Sequence, residues 1–243
     1  MTDKAAASAP LFPEVPKTDS AETGVGHRAR LRQRLLGQDD TALLDHEVIE
    51  YLLALAIPRR DTKPLAKAVI ARFGTLAAVL SADSRALMQV PGLGETSVAA
   101  LKIAQVAALR LLREPVVNQP VIGSWQALLD YLRADMAHLT VERVRILYLN
   151  SRNMLISDEK STDGSVDEAA IYTRQVIQRA LELGAVSLIL VHNHPSGDPS
   201  PSRQDIAITR DISEAGRRLN ITVHDHIIIG RDGHVSMKAE GLI

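Results

Sequence analysis

Residues 185–205 read AVSLILVHNHPSGDPSPSRQD. The run 185–191 is apolar, partly β-branched and preceded by Gly184, which is the pattern of a short strand buried on both faces. Two histidines follow at its end. In extended chain the side chains of i and i+2 face the same way, so His192 and His194 present both rings to one point while Asn193 faces away. Pro195, Gly197, Pro199 and Pro201 then exclude a helix and hold a stiff loop. Helical pattern resumes after Ser202, a favoured N-cap residue, with Asp205 at the third helical position and its carboxylate beside the positive helix end. Capping alone accounts for Ser202 and Asp205, and two histidines at a strand end are ordinary by themselves. A loop that returns a carboxylate towards a pair of aligned imidazoles has, in combination, the spacing of a metal site.

Working outward, a helix is expected over 125–137, strands at VRILYL (144–149) and MLIS (154–157), a helix over 173–183 ended by Gly184, a helix over 203–219, and short strands ITV (221–223) and IIIG (227–230). Mixed strands and helices predict a three-layer α/β or α+β domain from residue 121 to 243. Residues 27–114 carry helical patterns at HEVIEYLLALAI, KPLAKAVIARF and ETSVAALKIAQVAALRLLRE, broken by Pro58, Gly74 and the PGLG at 91–94, and predict a small all-α domain. Residues 115–120, with two prolines, read as a linker. Residues 1–26, rich in Ala, Pro, Ser and Thr without apolar periodicity, read as a disordered tail.

The 243 residues contain no cysteine, so disulfides, thiolate zinc sites and cysteine nucleophiles are excluded together, and a metal site must use His and carboxylate. One Trp, two Phe and four Tyr leave the core to Leu, Ile, Val and Ala. The chain shows neither the basic flank and apolar stretch of a signal peptide nor an apolar run near the ~20 residues of a membrane span, and a cytoplasmic protein without membrane contact is expected. Net charge is only −1, but 27–114 holds 13 Lys and Arg against 9 Asp and Glu and is the basic part.

His192-x-His194-Pro195 followed by Ser202-x-x-Asp205 resembles the zinc metallopeptidase motif of the JAMM (JAB/MPN) family, and LILVHNHPSGDPSPSRQDIAIT with HDHIIIG resembles its RadC subgroup. The resemblance implies a JAB/MPN-type domain in which His192, His194 and Asp205 bind one Zn²⁺ with water as fourth ligand. It also implies an upstream glutamate as general acid/base, aligned with Glu159 in MLISDEKSTDGSV, and Ser202 as hydrogen-bond donor to the tetrahedral oxyanion. Spacing alone does not separate Glu159 from Asp158, because adjacent strand residues face opposite ways. Capping and catalysis compete for the Ser202 hydroxyl. Thr173-Arg174-Gln175 stands where the subgroup usually carries Pro-Arg-Glu, which puts in doubt whatever pairing that glutamate makes. His224-Asp225-His226 repeats the alternate spacing and reads as a structural or outer-shell element in preference to a second metal site. His27, His46, His138 and His234 stand alone and read as surface or locally satisfied residues.

LMQVPGLGETSVAALKIAQV resembles a helix-hairpin-helix module. Gly92 and Gly94 let the backbone approach a phosphate, the next helix offers free N–H groups, and Lys102 with Arg28, Arg30, Arg32 and Arg34 adds attraction. A tight turn with a solvated basic face explains the same residues. The leading expectation is a zinc-dependent hydrolase of peptide or isopeptide bonds acting on an unknown protein or peptide, with non-specific DNA as a second partner. The alternatives are a DNA-associated binding protein with structural or vestigial zinc, and a metal-dependent nuclease. A cysteine-ligated zinc deaminase is excluded by the absence of cysteine.

Overall fold

The computed structural model describes residues 20–37, 43–160 and 172–243. The expected tail falls mostly outside them, but its last residues are helical: α1 spans Ser20–Leu36 and so starts seven residues before the boundary read from composition. The helical region continues with α2 (Asp45–Ala56), α3 (Lys63–Phe73), α4 (Leu76–Ser81), α5 (Ser84–Met88) and α6 (Glu95–Asn118). Ile49, Leu53, Leu65, Val69, Val79, Leu87, Val98 and Leu101 close its core.

The linker reading of 115–120 is corrected. α6 runs through Pro115 to Asn118, and Val116 is buried with residues of the C-terminal sheet. A proline inside a helix removes one backbone hydrogen bond, here the one to Leu111, and local pattern then reads it as a stop. Burial of Val116, with Leu109 and Leu112 packed nearby, outweighs that loss. The first turns of α6 serve the helical core and its last turns the sheet core, so one rod joins both parts.

The C-terminal part holds α7 (Trp125–Met136), β1 (Val144–Leu149), β2 (Leu155–Lys160), α8 (Thr173–Leu183), β3 (Ser187–Asn193), α9 (Arg203–Arg217), β4 (Thr222–Ile229) and β5 (His234–Ser236). The five strands are ordered β2-β1-β3-β4-β5, with β3 and β4 parallel and the other neighbours antiparallel. All seven residues of β3 are buried, as its unbroken apolar run requires of a central strand covered on both sides. α7 packs on one face against Leu147, Leu149, Ile189, Val191, Ile227 and Ile229. α8 and α9 pack on the other, against Val144, Ile146, Tyr148, Leu188 and Leu190. This is the expected three-layer mixed α/β domain behind a helical region.

Two strands were shorter in the sequence reading. β2 extends to Lys160, which takes Asp158 and Glu159 into the strand, and the two short strands at 221–230 are one strand with His224-Asp225-His226 inside it. Polar residues hide strand periodicity there because Asp158, Glu159, Asp225 and His226 bond to side chains of neighbouring elements.

Candidate metal centre

The parallel pair β3/β4 brings both carboxyl ends to one edge of the sheet, the usual place for a site in such folds. His192 is the penultimate residue of β3, opposite Val144 on β1, so it faces the α9 side. The loop after it is pinned to the end of β4: His194 N–H donates to Ile229 O at 3.0 Å and Arg231 N–H to Gly197 O at 3.2 Å. A Cβ on Gly230 would stand 2.2 Å from Gly197 O, so only glycine permits this approach. The loop thus returns the chain to Ser202, the N-cap of α9.

Ser202 and Asp205 form a reciprocal capping box. Asp205 N–H donates to Ser202 Oγ at 3.1 Å and Ser202 N–H to Asp205 Oδ2 at 2.7 Å. The same carboxylate reaches both histidines, with Oδ1 at 3.3 Å from His192 Nε2 and Oδ2 at 3.7 Å from His194 Nε2. The two Nε2 atoms are 2.9 Å apart. Three donors around one tetrahedral Zn²⁺ at ~2.0–2.1 Å would be separated by roughly 3.3 Å, and these separations bracket that value. Among the described residues, His192, His194 and Asp205 are the group whose ligand atoms lie within 4.8 Å of one another.

The far side of each ring is also engaged. His194 Nδ1 meets Asp198 O at 2.8 Å; a carbonyl only accepts, so the neutral ring carries its proton on Nδ1 and its lone pair on Nε2, towards the other ligands. His192 Nδ1 is 2.8 Å from His226 Nε2. Burial pushes His192 down to about 4 and His226 down to about 3, so both rings are neutral near pH 7. On Asp205 burial works upwards, but His192 and the Ser202 hydrogen bonds outweigh it and leave the carboxyl below its ordinary range. A neutral His192 beside the Asp205 carboxylate is the protonation state that a divalent metal ion requires of its ligands.

The family model of the RadC-like JAB domain matches residues 122–242. The chain belongs to the RadC family. The matched segment begins inside the turn before α7 and ends one residue short of Ile243, so it covers the whole sheet and both helix layers of the RadC-like domain.

Within that domain the two acids of β2 separate by face. Asp158 pairs with Leu147 and turns to the α7 side, where Arg145 Nε donates to it at 2.9 Å and Tyr131 Oη at 2.9 Å. Arg145 is buried and also bonds Asp135. Asp158 therefore belongs to an interior ion cluster. Glu159 pairs with Ile146 and shares the face of His192. Its carboxylate is taken by Arg179 of α8, with Nε–Oε1 at 2.9 Å and Nη2–Oε1 at 2.8 Å, and by Ser157 Oγ at 2.8 Å. These hydrogen bonds hold it below the usual carboxylate range. β2 is two strands from β3, and Glu159 sits two residues away from the level of His192, which sets the two Cα atoms roughly 12 Å apart.

A nearer acid was missed by the sequence reading. The β1/β3 ladder ends with Val144 opposite His192, and Glu142 stands two residues before Val144 in the chain that leads into β1. Asn193 fixes the chain there: its Oδ1 accepts from Arg143 N–H at 2.9 Å and its Nδ2 donates to Val141 O at 3.2 Å. The available signal for Glu142 was its distance of two residues from the start of the VRILYL strand, which means nothing until β1 is known to pair with β3.

The HDH stretch of the RadC-like domain divides. A bulge between Leu188 and Ile189 against β4 leaves His224 out of the pairing, and its ring lies 6.1 Å from Trp125, on the α7 side. His226 turns to His192. Asp225 accepts from Ser236 Oγ and from Lys238 N–H, the latter at 3.1 Å, and ties down β5 and the chain after it. His27 stands 3.2 Å from Glu50, a locally satisfied histidine, and His138 lines a 270 Å³ groove with Arg133 and Arg231.

In the helical region Gly92 has φ +97° and Gly94 caps α6, the geometry of a tight hairpin. Lys102 is withdrawn from it: Nζ donates to Leu80 O at 2.7 Å and to Gln105 Oε1 at 3.0 Å, and burial pushes its pKa down. Arg28 bonds the carbonyls of Ile57, Pro58 and Arg60, and Arg34 pairs with Glu47 through contacts of 2.9 and 3.0 Å. Arg60 stands beside the hairpin, and its Nη1 would lie 3.4 Å from a Cβ on Gly92. A residue 32 positions earlier gave no sequence signal of that proximity.

Proposed function

We propose that the chain is a zinc-dependent hydrolase of peptide or isopeptide bonds, with His192, His194 and Asp205 as metal ligands. The convergence of His192 Nε2, His194 Nε2 and the Asp205 carboxylate, with the outer ring nitrogens already engaged, carries this reading. Bound zinc would supply an acidified water and a Lewis acid for the scissile carbonyl. Glu142 is the proton carrier this geometry favours, accepting from the water and returning the proton to the leaving amine. Glu159 is reassigned to holding β2 against α8 through Arg179.

Capping does not disqualify Ser202. A hydroxyl has one proton and two acceptor lone pairs, and the cap to Asp205 N–H uses only a lone pair. The proton remains for a developing oxyanion, a donor role worth ~3 kcal/mol where it is well aimed.

The test is zinc content and cleavage measured together on the full chain. Wild type is expected to carry about one zinc per chain and to cleave a peptide or isopeptide substrate but not duplex DNA. His194→Ala and Asp205→Ala are expected to lose most of the metal. Cleavage confined to DNA, or both variants keeping their zinc, overturns the reading.

Non-specific DNA association is a separate proposal, supported by the hairpin at Gly92 and Gly94, the guanidinium of Arg60 and the exposed Arg30 and Arg32. Lys102 drops out of it.

A further inference from the structure

Behind His192 lies a chain of buried groups that the proposed hydrolysis does not use. His226 is fully buried, with Nε2 2.8 Å from His192 Nδ1 and Nδ1 2.6 Å from Thr209 Oγ1. Thr209, also fully buried, donates its hydroxyl to the carbonyl of Asp205, one helical turn earlier. Three elements thus meet: β3 through His192, β4 through His226 and α9 through Thr209. The last of these closes on the backbone of a second ligand, Asp205.

Each ring nitrogen either donates or accepts, so proton positions along such a chain are mutually dependent. With the Nε2 lone pair of His192 turned to the cation, one arrangement satisfies every atom. His192 Nδ1–H donates to His226 Nε2, His226 Nδ1–H donates to Thr209 Oγ1, and the Thr209 O–H donates to Asp205 O. The carbonyl ends the chain because it can only accept.

We propose that Thr209 and His226 are positioning residues that present the Nε2 lone pair of His192 to the metal. The inference rests on the metal-site reading above and is independent of what the site hydrolyses. Replacing Thr209 by valine keeps its volume and removes the only group that accepts from His226 Nδ1–H in this arrangement. A buried N–H without an acceptor is costlier than a buried lone pair without a donor. His226 then moves its proton to Nε2 and donates to His192 Nδ1, which forces the His192 proton onto Nε2, where the cation must bind.

The experiment compares wild type, Thr209→Ser and Thr209→Val as full chains. Zn²⁺ affinity is measured against a competing chelator, and the histidine side-chain nitrogens of the metal-free proteins are followed by ¹⁵N NMR. Thr209→Val is expected to bind zinc at least ~10-fold more weakly and to shift His226 towards the Nε2–H tautomer. Thr209→Ser keeps the hydroxyl and is expected to stay within about threefold of wild type on the same scale. Equal zinc affinity in wild type and Thr209→Val overturns the inference while leaving the metal site standing. An equal loss in Thr209→Ser also overturns it, since packing would then be the cause. Absence of zinc binding in wild type sinks the metal reading itself, and the inference with it.

Discussion

The guanidinium of Arg179 holds the carboxylate of Glu159 through contacts of 2.8, 2.9 and 3.1 Å, and so ties α8 to the edge strand β2. A carboxylate fixed in this way has a pKa below its ordinary range, whereas a base that must take a proton near neutrality works best with a raised one. Glu142, half-buried and two residues before the Val144 that pairs with His192, has the better position for that work. Glu142→Gln is therefore expected to keep zinc near the wild-type level and to lose at least ~10²-fold in hydrolysis. Glu159→Gln is expected to retain hydrolysis within a few-fold. Steady-state kinetics of the two variants at equal zinc content decide between the acids, and the reverse ranking would return the proton-carrier role to Glu159.

Asp158 and Arg145 give a stability prediction on the opposite face. Arg145 is buried between Asp135 and Asp158, with Tyr131 Oη 2.6 Å from its Nη2. Arg145→Met fills much of the volume but leaves two buried carboxylates without their cation, which costs ~3–5 kcal/mol. Lys160, 3.2 Å from Asp135, offsets part of this. Chemical denaturation of the metal-free protein is the measurement, and a change under ~1 kcal/mol would show that solvent reaches the cluster.

What the sequence made legible follows from how local each signal is. His192, His194, Ser202 and Asp205 lie within fourteen residues, and strand alternation, loop prolines and a capping box suffice to bring them together. The three-layer class was legible from the order of apolar runs. Glu142 was not, because its place near the metal ligands depends on antiparallel pairing of β1 with β3, which sets Val144 opposite His192. The partners of Lys102 and Arg28 are tertiary in the same way, and the sequence alone placed both as cations adding attraction at the hairpin. Pro115 misled in the opposite direction: a strong local breaker was overridden by burial of the residue after it.

The hairpin makes the same point testable. Arg60→Ala is expected to weaken duplex DNA binding by the full chain and to reduce the salt slope by about one. Lys102→Ala is expected to leave DNA binding unchanged and to cost ~1 kcal/mol of stability by releasing Leu80 O and Gln105. Titration at two salt concentrations, with denaturation alongside, separates the two residues. Equal loss of DNA affinity in both would restore Lys102 to the interface.

Acid sensitivity of the metal-free protein follows from the two buried histidines. Burial is the first cause of both shifts, which bring His192 to about 4 and His226 to about 3, against ~6.5 in the unfolded chain. The folded pKa is the lower one, so the unfolded chain binds more protons as pH falls through 6.5. Stability from these rings is fully present above that pH and is lost on going down towards 4 and then 3. Between pH 6 and 5 each ring contributes a slope approaching ~1.4 kcal/mol per pH unit. Replacing His226 by glutamine removes one titrating group, and the slope is expected to fall by about one proton. Denaturation midpoints of metal-free wild type and His226→Gln at pH 7, 6 and 5 test this. A wild-type midpoint constant over that range would mean that His192 and His226 take up protons in the folded state, and a cation would then have to displace them to bind.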